Sequence, residues 1–141
     1  MMADVVDKAT RSRMMAGIKG ANTKPEMALR KALHALGLRF RLHAKRLPGR
    51  PDIVLPRWKA VIFVHGCFWH RHEGCRYATV PATRPQFWNE KFAANVSRDQ
   101  RNLDGLAAAG WRARVVWECD LKVLGASTVA DDVMRWLRSE M

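Results

Sequence analysis

Apolar residues recur along this chain with two different periods, and the switches between them mark out the elements. Thr23-Lys24-Pro25-Glu26 has the form of a capping box with proline near the first helical position. Leu29, Leu33 and Leu36 follow at helical spacing, and Gly37 supplies a stop. Leu38-Arg39-Phe40-Arg41-Leu42 alternates with period two, which predicts a half-buried strand. An LPGRP turn leads into Asp52-Ile53-Val54-Leu55, and Pro56-Arg57-Trp58-Lys59 joins this run to a second strand from Ala60 to Val64. A cysteine- and histidine-rich loop and a polar, proline-containing stretch carry the chain to Arg84. From Phe87 to Ala109 the pattern is helical, with Phe92, Val96, Leu103 and Leu106 inward and Gly110 ending it. Trp111 to Trp117 reads as another buried strand. Thr128-Val129-Ala130-Asp131 opens a last helix with Val129, Val133, Trp136 and Leu137 on one face. Helices flanking a small mixed sheet make this an α/β or α+β domain.

The 141 residues are one domain's worth of chain. Residues 1–22 mix Lys8, Arg11, Arg13 and Lys19 with small residues and read as a basic arm or helix; 23–141 read as a single domain. The aliphatic run from Ala60 to Val64 is far too short to cross a bilayer. The first residues lack the apolar core and cleavage signal of a secretory peptide, and three cysteines cannot all pair within one chain. The expectation is a cytoplasmic protein without membrane attachment. The 25 Lys+Arg against 13 Asp+Glu leave a charge of +12, which suits a polyanion such as nucleic acid. Arg50, Arg71, Arg84, Lys91, Arg98 and Arg101 permit many phosphate contacts and predict salt-dependent binding.

Three of the five histidines and two of the three cysteines lie in HGCFWHRHEGC, between His65 and Cys75. Thiolate and imidazole are the usual donors to tetrahedral zinc, and short spacing lets one loop supply several. Cys67, His72 and Cys75 can give three ligands and Cys119 the fourth; ordinary buried thiols are the other reading. A set closed by protein donors leaves no position for water, which favours a structural zinc. Asp52 opens a strand and His65 ends the next, so adjacent strands can bring both to one sheet edge. A carboxylate there suits Mg²⁺, which orients phosphates and activates water, although a turn or strand-start cap is an equal alternative. His65 and His70 are not needed for zinc; an imidazole can act as a general base or, protonated, face a phosphate. His34 and His43 read as a helix-surface and a loop histidine. Phe68 and Trp69 sit inside the polar loop, and Trp88 follows Phe87 after a basic segment. Such rings either pack in a core or stack on bases and wedge between base-pair steps. Trp111, Trp117 and Trp136 read as core.

The segments DKATRSRMM, LPGRPD, VIFVHGCFWH, VPATRPQFW, NVSRD and GW…VWEC, ordered along most of the chain, resemble the very-short-patch-repair (Vsr) endonucleases of bacteria. The resemblance implies a restriction-endonuclease-like mixed sheet flanked by helices, with a structural zinc site. It implies nicking of one DNA strand 5′ of the thymine in a T:G mismatch, the product of 5-methylcytosine deamination. By position, Asp52 and the main-chain carbonyl of Val64 resemble the Mg²⁺ ligands, His70 the general base and Asp99 the carboxylate that supports it. His65 matches the histidine beside the scissile phosphate, and Glu26 a glutamate in the metal's water network. Cys67, His72, Cys75 and Cys119 match the zinc set; Phe68, Trp69 and Trp88 match the intercalating aromatics. The chain departs from the family pattern in an extra residue before Cys75 and in Val64, which replaces a threonine. The superfamily's second acid and lysine are also missing from Phe63-Val64-His65, so phosphate and water oxygens would complete the metal shell.

The expectation is therefore a Mg²⁺-dependent mismatch nickase with a structural Zn²⁺. It would act as a monomer on double-stranded DNA, with other mismatch-repair proteins as candidate partners. A sequence-specific restriction-type nuclease and a zinc-stabilised, non-catalytic DNA-binding module are the alternatives. The aromatic trio weighs against the first, and the joint presence of Asp52, His65 and His70 against the second.

Overall fold

The computed structural model describes residues 23–139; the predicted basic arm over 1–22 lies outside the described residues. Helix α1 (Lys24–Ala35) starts where Thr23 Oγ1 accepts the Glu26 N–H at 3.3 Å. The Glu26 carboxylate, however, binds Arg30 and His43. The helix ends in a Schellman motif: Gly37, at φ 90°, donates to the His34 carbonyl, and Leu38 donates to that of Leu33. This recruits Leu38 to the core beside Leu33, so the strand predicted from Leu38 shrinks to the exposed pair β1 (Arg41–Leu42).

The chain continues through β2 (Ile53–Leu55), a 3₁₀ turn (Pro56–Trp58), β3 (Ala60–His65), α2 (Pro85–Ala108), β4 (Arg112–Trp117), α3 (Glu118–Leu124) and α4 (Ala126–Ser139). The sheet order is β1-β2-β3-β4. The first two pairings are antiparallel; β3 and β4 are parallel, with α2 in the crossover between them. The fold is mixed α+β.

Apolar residues occupy both faces of β2 and β3 because helices cover both. On one face Ile53, Leu55, Ala60 and Ile62 pack with Leu29 and Leu33 of α1 and Val129, Val133 and Leu137 of α4. On the other, Val54, Val61 and Phe63 pack with Leu106 of α2. Arg112 reaches the last turn of α4, donating to the Leu137 carbonyl at 3.2 Å.

Four details differ from the sequence pattern. Leu36 is exposed, because it is the C-cap of α1. Val96 is exposed, because the middle of α2 runs along a cleft and its neighbours Asn95, Asp99 and Asn102 line that cleft. α3 follows β4 without a loop, and α4 begins at Ala126, ahead of the expected Thr128 cap, because Gly125 (φ 86°) separates two consecutive helices. Trp111 and Trp136 pack at the core's margins, but Trp117 stands between two histidines. Among the described residues, no helix is long and apolar enough to cross a membrane.

Candidate active site

A cleft of about 1000 Å³ opens where α1, the ends of β2 and β3, and the polar stripe of α2 converge. Its floor depends on Pro51-Asp52. Antiparallel register pairs Ile53 with Ile62, so Pro51 falls opposite Val64. The Pro51 carbonyl is taken by the Ala44 N–H at 3.3 Å and does not accept from Val64. The Asp52 side chain takes the place of a backbone partner instead, with Oδ2 accepting the Val64 N–H at 2.7 Å. In a strand the N–H and C=O of one residue point to the same edge, so the Val64 carbonyl looks toward Asp52 as well. Burial, reinforced by the charge of Glu26, raises the Asp52 carboxyl to about 6 against the lowering effects of the Val64 N–H, His43 and His70.

Glu26 is almost fully buried, and its Oε2 lies 2.9 Å from both Arg30 and His43 Nε2. Glu26, His43 and Asp52 offer ligand atoms within 4.8 Å of one another. His43 is no ordinary loop residue, contrary to the sequence reading. Its N–H donates to the Asp52 carbonyl at 3.1 Å from a backbone at φ 50°, which aims the ring at Glu26.

In the same cleft, His70 Nδ1 meets Asp99 Oδ2 at 2.6 Å. A carboxylate at Nδ1 holds the proton there and leaves Nε2 as the basic nitrogen. His65 stacks on His70 with ring centroids 3.8 Å apart and planes at 8°. Burial, with His70 next, lowers His65 to about 3, so it is neutral near pH 7.

On the far side of His65, the donor atoms of Cys67, His72, Cys75 and Cys119 all lie within 4.8 Å of one another. Ligand atoms around a tetrahedral zinc stand roughly 3.5–4 Å apart, so the set fits that ion. Burial and the neighbouring sulfurs push the Cys119 thiol up to about 12. A bound divalent cation is what reverses such a shift. The loop turns at Gly74 (φ 73°), with the Cys75 N–H on the His72 carbonyl.

Phe68, Trp69 and Trp88 form one cluster at the cleft's rim, with ring centroids 5.0 to 6.0 Å apart. Phe92 closes it from beneath. Asn95 fixes Trp69 by donating to its carbonyl at 3.1 Å. Arg50, Lys91 and Arg98 line the cleft, with Arg50 at φ 49° in its turn. Arg84 caps α2 and lies over Phe87, outside the cleft lining. Arg71 serves the loop: its guanidinium donates to the Phe68, Ala78 and Thr79 carbonyls.

The sequence reading missed His43, Asn95, Asn102 and Glu118 as cleft residues. Spacing along α2 at 95, 99 and 102 was a usable signal for the two asparagines; nothing local marked His43.

The profile of the family described as DNA mismatch endonuclease Vsr matches residues 3–76. DNA mismatch endonuclease Vsr of Escherichia coli K12 is 47% identical over 133 residues, covering 94% of this chain and 83% of that protein. This chain belongs to the Vsr family. Type II nicking enzyme V.XorIIP of Xanthomonas oryzae pv. oryzae is 51% identical over 125 residues, 89% of this chain and 91% of that one. The catalytic domain of homing endonuclease I-Bth0305I shares the fold at a TM-score of 0.57 and 18% identity, covering 84% of this chain and 97% of that domain. The family profile stops short of Trp88, Asp99 and Cys119, which reach the site through α2 and β4. Membership in the Vsr family makes this an endonuclease of that type.

Proposed function

We propose that this chain nicks one strand of double-stranded DNA 5′ of the thymine in a T:G mismatch, as a monomer in the bacterial cytoplasm, and so initiates very-short-patch repair. The observation that carries this reading is the His70–Asp99 pair, 2.6 Å apart, in the same cleft as the half-buried Asp52. A base held by a carboxylate beside an acidic cation site is the equipment of phosphodiester hydrolysis. Residues 23–141 form the single nuclease domain, and residues 1–22 add a basic arm.

Asp52 and the Val64 carbonyl would hold Mg²⁺, with Glu26 ordering its water. The ion supplies charge stabilisation on the phosphate and on the departing 3′-oxygen when bound. His70 Nε2 takes the proton of the attacking water, whose oxygen forms the new bond to phosphorus as the P–O3′ bond breaks. Asp99 keeps the His70 ring oriented and stabilises its charge. His65, neutral, faces the scissile phosphate without adding a second repelling cation beside His70. Cys67, His72, Cys75 and Cys119 would hold a structural Zn²⁺.

Phe68, Trp69 and Trp88 enter beside the mismatch. Unstacking a step costs a few kcal/mol, least at a weakly stacked pair, which gives mismatch preference a physical source. Arg50, and Arg84 at the rim, take flanking phosphates.

A strand-resolved nicking assay with Mg²⁺ on duplexes differing only in T:G versus T:A tests the reading, starting from a CT(A/T)GG context. The expected result is a single nick on the T strand, 5′ of the mispaired thymine. Equal cutting of the T:A duplex would favour a restriction-type nuclease, and binding without cutting, across a library of flanking sequences, a DNA-binding module.

A further inference from the structure

The two halves of the cysteine- and histidine-rich loop are joined by one side chain that neither half requires for its own chemistry. Trp117 is paired in register with His65 across β3 and β4. The indole and His65 meet in a T-shaped contact at 5.4 Å and 71°, and the indole stacks on His72 at 4.3 Å and 10°. His72 Nδ1 in turn lies 3.3 Å from Cys119 Sγ. His65 continues the series into His70, stacked at 3.8 Å, and His70 ends it on Asp99. A run of ring contacts therefore leads from the thiol cluster to the carboxylate on α2.

Two of its contacts are parallel stacks, which fix separation and tilt but leave rings free to slide in plane. Imidazoles have little area to resist that slide. The ring contacts that oppose such a slide of His65 are with Phe63 on its own strand, 5.5 Å away, and with Trp117. Trp117 is itself held at both ends, by the stack on His72 and by the short backbone link to Cys119.

We propose that Trp117 is a positioning residue: it transmits the geometry of the Cys67/His72/Cys75/Cys119 centre to the His65–His70 pair. The centre then sets turnover as well as local stability. This rests on the reading of His70 as the base, and one arm of the test is independent of cutting.

The test compares the parent with Trp117→Phe and Trp117→Leu, all zinc-replete by metal analysis. Single-turnover nicking on T:G duplex, DNA affinity, and the imidazole NMR signals of His65 and His70 in the DNA-free protein are measured. Misplacing a reacting group by about 1 Å can cost on the order of 100-fold, so Trp117→Leu is expected to nick about 10- to 100-fold slower with DNA affinity unchanged. Trp117→Phe, which keeps a ring between the histidines, recovers most of the rate. The His65 and His70 signals move in Trp117→Leu and return toward the parent in Trp117→Phe. Zinc-replete Trp117→Leu that nicks at the parental rate would overturn the proposal. So would a rate that falls only in step with zinc content or melting temperature, the mark of a merely structural tryptophan. If Trp117→Leu does not fold, Trp117→Met, which also lacks a ring, carries the test: parental rate together with unmoved histidine signals overturns it. If the parent itself does not nick T:G DNA, the catalytic reading fails, and the NMR arm still decides whether Trp117 positions the histidines.

Discussion

Asp52 and His65 sit in one cleft yet are linked to stability in opposite directions. Burial and the Glu26 charge raise the Asp52 carboxyl from 3.8 to about 6. Between those values the folded chain binds a proton that the unfolded chain does not. Ionised Asp52 therefore costs stability above pH 6, and the cost disappears as pH falls to 3.8. His65 is lowered from 6.5 to about 3 by burial and His70, so the unfolded chain is protonated first and stability falls as pH drops through that window. Between pH 6 and 4 the two slopes oppose each other. Asp52→Asn removes only the first and keeps an oxygen for the Val64 N–H. The metal-free variant is expected to be more stable than the parent by about 1–3 kcal/mol at neutral pH, the gain vanishing near pH 4, while nicking is lost. Urea unfolding of both chains at about pH 4, 6 and 7.5 measures this. A gain that ignores pH would assign the cost of Asp52 to its shape rather than its charge. The site holds a destabilising anion in place, which is what a cation-binding carboxylate requires.

At the scale of elements, the sequence was readable where local rules decide and opaque where pairing does. The apolar runs at Ile53–Leu55 and Ala60–His65 are strands because both faces are covered, and the pattern says so directly. Leu38 was misread because a helix-ending motif claims it before the strand can. Glu26 looked like half of a capping box; its carboxylate serves a histidine 17 residues away, and only the β1–β2 register brings His43 there. The residues taken for a metal-binding loop lie together, but what holds that loop was invisible. Arg71 was one cation among 25. At φ 55° it turns back to bind three loop carbonyls, with its guanidinium 3.9 Å from the centre of the Phe92 ring. Lysine cannot supply that fork. Since residues that orient metal ligands are worth about 10- to 100-fold in metal affinity, Arg71→Ala and Arg71→Lys are both expected to bind zinc more weakly by that factor. Competition with a colorimetric chelator reads the affinity out, and unchanged zinc binding in either variant would show that the ligands hold the loop unaided.

At the scale of the whole molecule the charge of +12 is not one interface: among the described residues, two groups of cations lie on opposite sides of the sheet. Arg112 donates to the Trp136, Leu137 and Trp58 carbonyls and closes the end of α4 against the sheet. Arg114 pairs with Asp132 of α4. These residues stabilise the fold on the face away from the cleft. Lys45, Arg50, Lys91 and Arg98 line the cleft together with the Glu26 and Asp52 carboxylates. Net charge cannot distinguish the two groups; the side of the sheet on which each residue falls does. Salt dependence of DNA binding counts the phosphates neutralised, with log K falling against log salt by about 0.9 per contact. Lys91→Ala and Arg98→Ala are each expected to lower that slope by about 0.9 on matched and mismatched duplex alike, with little change in melting temperature. Arg112→Ala should do the reverse, leaving the slope intact while costing about 2–4 kcal/mol of stability through its lost carbonyl contacts. Titrations at several salt concentrations, set beside thermal melts, separate the two. A slope that drops equally in all three variants would mean that the field of the whole molecule, rather than contacts in the cleft, draws the DNA in.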